Sequence, residues 1–346
     1  MELKAREGDF LETTERLIFD VKGIVQPRDR IIAFLRYYPV TNGKRIRDNG
    51  SAYNKIYSLQ ERYKFLEEYY PHYIFNDRTI GEKLQGVTHT RIKKIFSPAD
   101  FLREMIILRE QRGQKGISSL LQKTLDFCKL IRECAGIQMN AIGITGSCLV
   151  GLEIDQSDID VIIYGTRNAS LVRRCLANLF DQEGELQAYS RENIRSLYEF
   201  RGKTSALSFD EFVQLEQRKK LQGIYKGTDF YIRCIKDWAE IDYKYEDLSI
   251  QNVGVATIMG VISDDSEAFL TPCRYLITGS RSTGESDLQD EIREIVSFRG
   301  RYCEVGQQGE EFEARGKIEK VKFKTMEYYR LLLGSNDDDY FKILNI

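Results

Sequence analysis

Hydrophobic positions follow two different periods along this chain, and their order predicts a mixed α/β protein. Residues 17–21 and 30–37 are runs of β-branched and aromatic residues, and we interpret them as strands. A largely helical stretch is predicted over 59–113. Its clearest signal is Ser97, an N-cap that is followed directly by a proline and then by an acidic first turn.

The middle of the chain alternates between helical and strand patterns. Apolar residues at helical spacing predict a helix over 117–134, which Gly136 is placed to end. A capping box at Ser208 and Glu211 opens another helix, which is predicted to stop near Gly223. The hydrophobic pattern also predicts strands over 141–145, 159–164 and 229–235, and a helix over 169–180.

The carboxyl-terminal part returns to a β pattern, with strands predicted over 253–262, 268–278, 312–323 and 328–333. The chain has 346 residues, about twice the length of a common single domain, so we expect several packed units. The predicted units are a β-rich element (1–50), a helical segment (51–115), a central domain (116–250) and a β-rich domain (251–346). The predicted fold class is α/β, more specifically α+β, with β-rich elements at both ends of the chain.

The composition of the chain excludes several classes of protein and of catalytic or metal site. No apolar run is long enough for a membrane-spanning helix, so we expect no membrane association. The seven cysteines are scattered, odd in number and without a Cys-x-x-Cys pair, which favours buried reduced thiols in a cytoplasmic protein. With two histidines, most histidine-based metal and triad chemistry is disfavoured. Any metal ion is therefore expected to be held by carboxylates.

Charge is unevenly distributed although the net charge is only −2. Residues 78–123 contain ten basic and four acidic side chains. Such a surplus predicts a surface that meets an RNA backbone, and the alternative is an ordinary solvated helical face.

The segment 141–165 carries the chemistry. A buried strand leads into Gly146-Ser147, and after ten further residues Asp158-Ile159-Asp160 opens the next strand. Side chains alternate along a strand, so Asp158 and Asp160 share one face, where their charges repel. A divalent cation with oxygen ligands, Mg²⁺ or Mn²⁺, relieves that repulsion. Gly146 allows close backbone approach and Ser147 offers a hydroxyl to phosphate oxygens, so the pattern indicates phosphoryl or nucleotidyl transfer.

The tetrapeptide Ile-Thr-Gly-Ser occurs a second time, at 277–280. There, Asp287 and Asp290 follow among polar residues with no apolar strand behind them, so we predict a turn. Gly-Ser alone is therefore weak evidence, and the strand context of the first copy is what carries the prediction.

Gly-Ser followed at this spacing by Asp-Ile-Asp-Val resembles the signature of the DNA polymerase β-type nucleotidyltransferase superfamily. The resemblance covers roughly 117–235, and the flanks 298–304 and 312–320 are similar to predicted, uncharacterised archaeal nucleotidyltransferases. It implies a polymerase β-like domain with a mixed sheet and flanking helices. It also implies that Gly146 and Ser147 bind a nucleoside triphosphate and that Asp158 and Asp160 hold two metal ions. The implied reaction moves a nucleoside monophosphate to a hydroxyl of an RNA end, a small molecule or a protein, with release of pyrophosphate.

The resemblance also implies a third carboxylate from a later strand. Asp229 is our candidate because it opens the best apolar strand after the motif, and Asp242 is the competitor. Two alternatives stay open. One is a non-catalytic nucleotide- or RNA-binding protein that retains the fold. The other is an interaction scaffold built on the β-rich ends.

Overall fold

The amino-terminal unit is an antiparallel sheet organised around one long strand. The computed structural model describes residues 4–113, 116–201, 207–282 and 292–344. The strands of this unit are β1 (Phe10–Thr13), β2 (Ile18–Val21), β3 (Arg30–Val40), β4 (Arg45–Ile46), β5 (Ala52–Lys55), β6 (Ile74–Asp77), β7 (Glu82–Thr88) and β8 (Ile92–Phe96). They pair in the order β4-β5-β3-β2-β1-β8, with β7 joining β3 and β6. The apolar side chains of β2 and β3, such as Phe19 and Leu35, are fully buried.

The predicted helical stretch over 59–113 is only partly helical. The helices α1 (Leu59–Tyr69) and α2 (Pro98–Arg112) lie at its ends, and each begins at a serine whose side chain accepts a backbone N–H. Between them β6, β7 and β8 are strands, so the prediction is wrong for this part. The reason is long-range pairing: β7 pairs with β3 and β8 with β1, and neither partner is visible in the local pattern.

The central unit is a mixed five-stranded sheet in the order β11-β12-β13-β10-β9. Its strands are β9 (Ile142–Ile144), β10 (Ile159–Tyr164), β11 (Leu186–Gln187), β12 (Gln222–Tyr225) and β13 (Thr228–Ile235). β10 runs parallel to β13 and antiparallel to β9. One face of β10, formed by Ile159, Val161 and Ile163, belongs to the main hydrophobic core. Alternation therefore directs Asp160 and Ile162 to the opposite face.

Helices cover the apolar face of that sheet: α3 (Ser119–Ala135), the single turn α4 (Gly146–Leu149) and α5 (Thr166–Phe180), followed by α6 (Arg191–Arg201) and α7 (Phe209–Arg218). Gly136 ends α3 in a left-handed conformation, as predicted. The Ser208–Glu211 capping box is present. α7 ends before the predicted Gly223 because β12 pairs there with β13. Within the described residues, no helix has the length and apolar character needed to cross a membrane.

The carboxyl-terminal unit is a closed barrel. Its strands are β14 (Leu248–Glu267), β15 (Cys273–Ser282), β16 (Ile292–Ser297), β17 (Glu311–Phe323) and β18 (Met326–Leu333), with β19 (Tyr340–Ile343) beside β17. The long β14 pairs with both β15 and β17, which closes the ring β14-β15-β16-β18-β17. β16 and β18 are parallel, and the other neighbours in the ring are antiparallel. A five-stranded barrel with this order has the topology of the OB-fold.

The second Ile-Thr-Gly-Ser copy lies inside β15, so the predicted turn is wrong. Ile277 and Thr278 pair with Ile262 and Val261 of β14, and this pairing extends the strand through the glycine. Asp287 and Asp290 lie outside the described residues.

The expectation of seven reduced cysteines is wrong for one pair. Cys134 at the end of α3 and Cys175 in α5 form a disulfide, with their Cα atoms 5.8 Å apart. These helices pack side by side, which brings together two residues that lie 41 positions apart. The other five cysteines are free and buried.

The burial of the Asp9 carboxyl can be tested through its effect on the stability of the protein. It is 7% exposed, and burial raises the pKa of its carboxyl from 3.8 to about 7. Because this pKa is raised on folding, ionising Asp9 opposes folding above pH 4, and the cost is complete above pH 7. We expect Asp9→Asn to stabilise the protein at pH 8 by on the order of 4 kcal/mol, with the gain vanishing near pH 4. Denaturant unfolding between pH 4 and 8 measures this.

The Asp48→Asn variant is the control for that experiment, because it removes a carboxyl that stays exposed in the folded protein. A gain for Asp9→Asn that does not change with pH would contradict the electrostatic explanation.

Candidate functional site

Gly146 brings the Asp160 carboxylate directly against the backbone. Thr145 follows β9, and its N–H donates to the carbonyl of Asp160 on β10 at 3.0 Å. Gly146 follows with φ +68°, in the left-handed region that favours glycine. A Cβ at this position would collide with Oδ2 of Asp160. The glycine is therefore required by the position of the acid as well as by its own backbone angle.

Ser147 lies in the single turn α4 and is largely covered. It is 7% exposed, and its carbonyl accepts the N–H of Leu152 at 2.9 Å. The turn formed by Gly146 and Ser147 thus adjoins the acid pair, as the motif predicts. Phosphate binding by the Ser147 hydroxyl stays a prediction.

Asp158 and Asp160 form the predicted pair on one face of β10. Asp158 is exposed just before the strand, and Asp160, the second strand residue, is half-buried. Burial and then the charge of Asp158 raise the pKa of Asp160 to about 6. Two adjacent carboxylates fit Mg²⁺ or Mn²⁺, which prefer oxygen ligands. A divalent cation offsets both the cost of burying a charged carboxylate and the repulsion between the two carboxylates.

Two cations from the amino-terminal sheet act on Asp160, and no local sequence pattern predicts them. Arg36 lies on β3, and Lys55 ends β5. Both favour the ionised form of Asp160. Burial, and then Arg36 and Arg45, lower the pKa of Lys55 to about 8. More than 100 residues separate these cations from the acids, so only the tertiary structure brings them together.

Arginines of the same sheet hold the loop between the Gly-Ser turn and the acids. Arg45 is 7% exposed and donates to the carbonyl of Leu152 at 2.5 Å and to Oγ of Ser157 at 3.4 Å. Arg47 donates through Nε to the carbonyl of Val150 at 2.9 Å. The amino-terminal sheet therefore fixes the connection that sets the spacing of the motif.

The acid face of β10 is open at its start and closed further along. Gly8 packs so closely on Ile162 that a Cβ there would collide with it. The Thr145 hydroxyl donates to the carbonyl of Gly8 at 2.6 Å. Arg233, on the neighbouring strand, pairs with the fully buried Glu7. The accessible end of this face is thus the one that carries Asp158 and Asp160.

Asp229 and Asp242 occupy different environments. Asp229 is exposed on β13, two residues before Tyr231, which pairs with Asp160, so alternation places it on the acid face. The side chain of Asp242 is 87% exposed and lies 3.8 Å from Nζ of Lys324, beside the barrel. In the described part of the chain, no three His, Cys, Asp or Glu side chains converge closely enough to hold a metal ion. The catalytic role of Asp229 stays a prediction.

A protein of Methanocaldococcus jannaschii, uncharacterised protein MJ1086, is 33% identical to this chain over 352 residues, which cover 99% of each chain. The chain belongs to the family of this archaeal protein. The match includes all three units, so the family shares the whole architecture rather than the central domain alone. No family model matches the chain. No solved structure matches it either.

Many basic side chains of the stretch 78–123 are paired with acidic side chains of the same protein. Lys83, Arg91, Lys93, Arg103 and Arg109 each form an ion pair with an acidic residue. Such pairs reduce the positive field that a nucleic-acid backbone would meet. RNA binding by this stretch stays a prediction.

Proposed function

We propose that the protein is a metal-dependent nucleotidyltransferase that moves a nucleoside monophosphate from a nucleoside triphosphate to a hydroxyl. The observation that carries this proposal is the Asp160 carboxylate packed against the Gly146 backbone beside Asp158. Arg36 and Lys55 act on the same acids, which supports a site for metal and phosphate together.

Each residue has a defined role in the proposed reaction. Asp158 and Asp160 would hold Mg²⁺ or Mn²⁺, and the ion would supply positive charge to the phosphates and the leaving pyrophosphate. Gly146 and Ser147 would border the phosphates, and Arg36 and Lys55 would bind their oxygens. The acceptor oxygen forms a bond to the α-phosphorus while the bond between that phosphorus and the pyrophosphate oxygen breaks. The hydroxyl proton passes to Asp229 or to water.

A second candidate is a non-catalytic nucleotide-binding protein with the same fold. The favouring observation is that Asp229 does not complete a three-acid group with Asp158 and Asp160 in the described structure. Such a protein would bind triphosphate and metal without turnover, so binding and turnover have to be measured separately.

We place the activity in the cytoplasm. Five free, buried cysteines support a reducing compartment, whereas the Cys134–Cys175 disulfide is unusual there.

The deciding experiment incubates the protein with each of the four labelled ribonucleoside triphosphates and Mg²⁺, with and without RNA. We expect Mg²⁺-dependent pyrophosphate release with at least one triphosphate, and equilibrium binding of the same nucleotide. Binding without pyrophosphate release under any condition would favour the non-catalytic candidate. The absence of both nucleotide binding and pyrophosphate release would overturn the proposal.

A further inference from the structure

The segment 298–301, which follows β16, presents an aromatic side chain directly before an exposed arginine. Phe298 is 40% exposed, and Arg299 is exposed beside it. The segment is held in place by its own backbone: the N–H of Arg299 donates to Oγ of Ser297 at 3.1 Å, and the N–H of Tyr302 donates to the carbonyl of Arg299 at 3.0 Å. This is an ordered surface feature of the barrel.

This segment adjoins the proposed active site. Gly300 lies so close to the Tyr231 ring that a Cβ would collide with the Tyr231 hydroxyl. Tyr231 pairs with Asp160 across β13 and β10, and alternation directs both side chains to the same face. The barrel therefore contacts the central sheet at the strand position of the metal-binding acid.

Positive charge continues from the segment towards the acids. Arg299 interacts electrostatically with Arg301 and with Arg36. Arg36 in turn acts on Asp160. The guanidinium of Arg301 lies 4.8 Å from the centre of the Tyr302 ring, and its buried Nε has no hydrogen-bond partner among the described residues. Arg301 and Arg36 each repel Arg299, and a bound polyanion offsets that repulsion.

We propose that segment 298–301 binds a single-stranded nucleic-acid end and directs its terminal hydroxyl to Asp158 and Asp160. Exposed aromatic rings that stack bases, beside cations that meet phosphates, are how proteins bind single strands. The barrel topology is one that commonly carries such sites. This inference rests on the proposed function, because it names the acceptor of that reaction. The terminal oxygen would attack the α-phosphorus, with pyrophosphate leaving as described above.

Fluorescence anisotropy with a labelled 20-nucleotide single-stranded RNA measures nucleic-acid binding by segment 298–301. Phe298→Ala is expected to weaken binding about tenfold, the loss of one stacked base. Arg299→Gln is expected to lower the slope of log affinity against log salt by about 0.7, one phosphate contact. Met326→Ala and Lys322→Gln are the matched controls, because both residues are well exposed on the same barrel, at the start of β18 and near the end of β17. Neither control should change binding.

Further arms separate this inference from the proposed function. Single-stranded DNA is expected to compete, whereas a blunt duplex is not, because its bases are already stacked. Phe298→Ala should bind Mg²⁺-triphosphate like the parent while losing RNA-dependent pyrophosphate release. Triphosphate turnover without any effect of Phe298 or Arg299 on RNA would overturn the acceptor surface and leave the proposed function standing. Single-strand binding by this segment without triphosphate binding would overturn both the proposed function and the acceptor role.

Discussion

Replacing Asp158 or Asp160 with asparagine is expected to abolish Mg²⁺-dependent triphosphate turnover, with a loss on the order of 1,000-fold. Asparagine keeps the shape of the side chain but removes the charge that a divalent cation requires. Triphosphate binding in the presence of Mg²⁺ should fall in parallel. Isothermal titration with a nucleoside triphosphate, with Mg²⁺ or with EDTA, measures the binding, and pyrophosphate release measures turnover.

Asp155→Asn is the control for these variants. Asp155 is exposed in the turn that precedes the acids, so its replacement should leave both readouts unchanged. In EDTA, either acid variant should melt at the same temperature as the parent or higher, because one of two repelling charges is gone. If the double variant binds Mg²⁺ and triphosphate as the parent does, the site is wrongly assigned.

Gly146→Ala is expected to have the second largest effect, because two separate costs meet at this glycine. Its φ of +68° costs a residue with a Cβ about 1–2 kcal/mol. The new Cβ would in addition displace the Asp160 carboxylate. We therefore expect a lower melting temperature together with a loss of triphosphate turnover comparable to that of Asp160→Asn.

The duplicated tetrapeptide supplies a matched control for this prediction. Gly279 occupies the same Ile-Thr-Gly-Ser sequence with φ +61°, and no described atom lies within 4 Å of the place where its Cβ would be. Gly279→Ala should show the loss of stability without the loss of turnover. Comparable losses of turnover in both variants would mean that contact with Asp160 is not what makes Gly146 special.

Local signals in the sequence predicted several elements closely. Residues 159–164 form the predicted strand with the same limits, and the strand over 229–235 begins one residue early. α2 begins after its Ser97 cap, and α3 ends at Gly136. These features depend on capping and on hydrophobic alternation, which are set by residues a few positions apart.

Non-local pairing was not predictable in the same way. The local pattern over 74–96 predicts a helical stretch because β7 and β8 take their partners, β3 and β1, from at least 54 positions earlier in the chain, and β6 joins the sheet through β7. β16 carried no recognised strand signal, although it closes the barrel between β15 and β18. The Cys134–Cys175 disulfide likewise depends on how α3 packs on α5.

Local sequence is enough to locate the candidate chemistry: a glycine turn at a strand end, and two acids on one face of the next strand. Those features need only short-range geometry, since the alternation of a strand and the freedom of glycine are local properties. The surroundings of the acids follow instead from tertiary packing. It brought Arg36 and Lys55 to them from another sheet, and it placed Gly300 of the barrel against Tyr231. These contacts join different sheets, and burial and shape complementarity between distant segments leave no periodic pattern in the sequence.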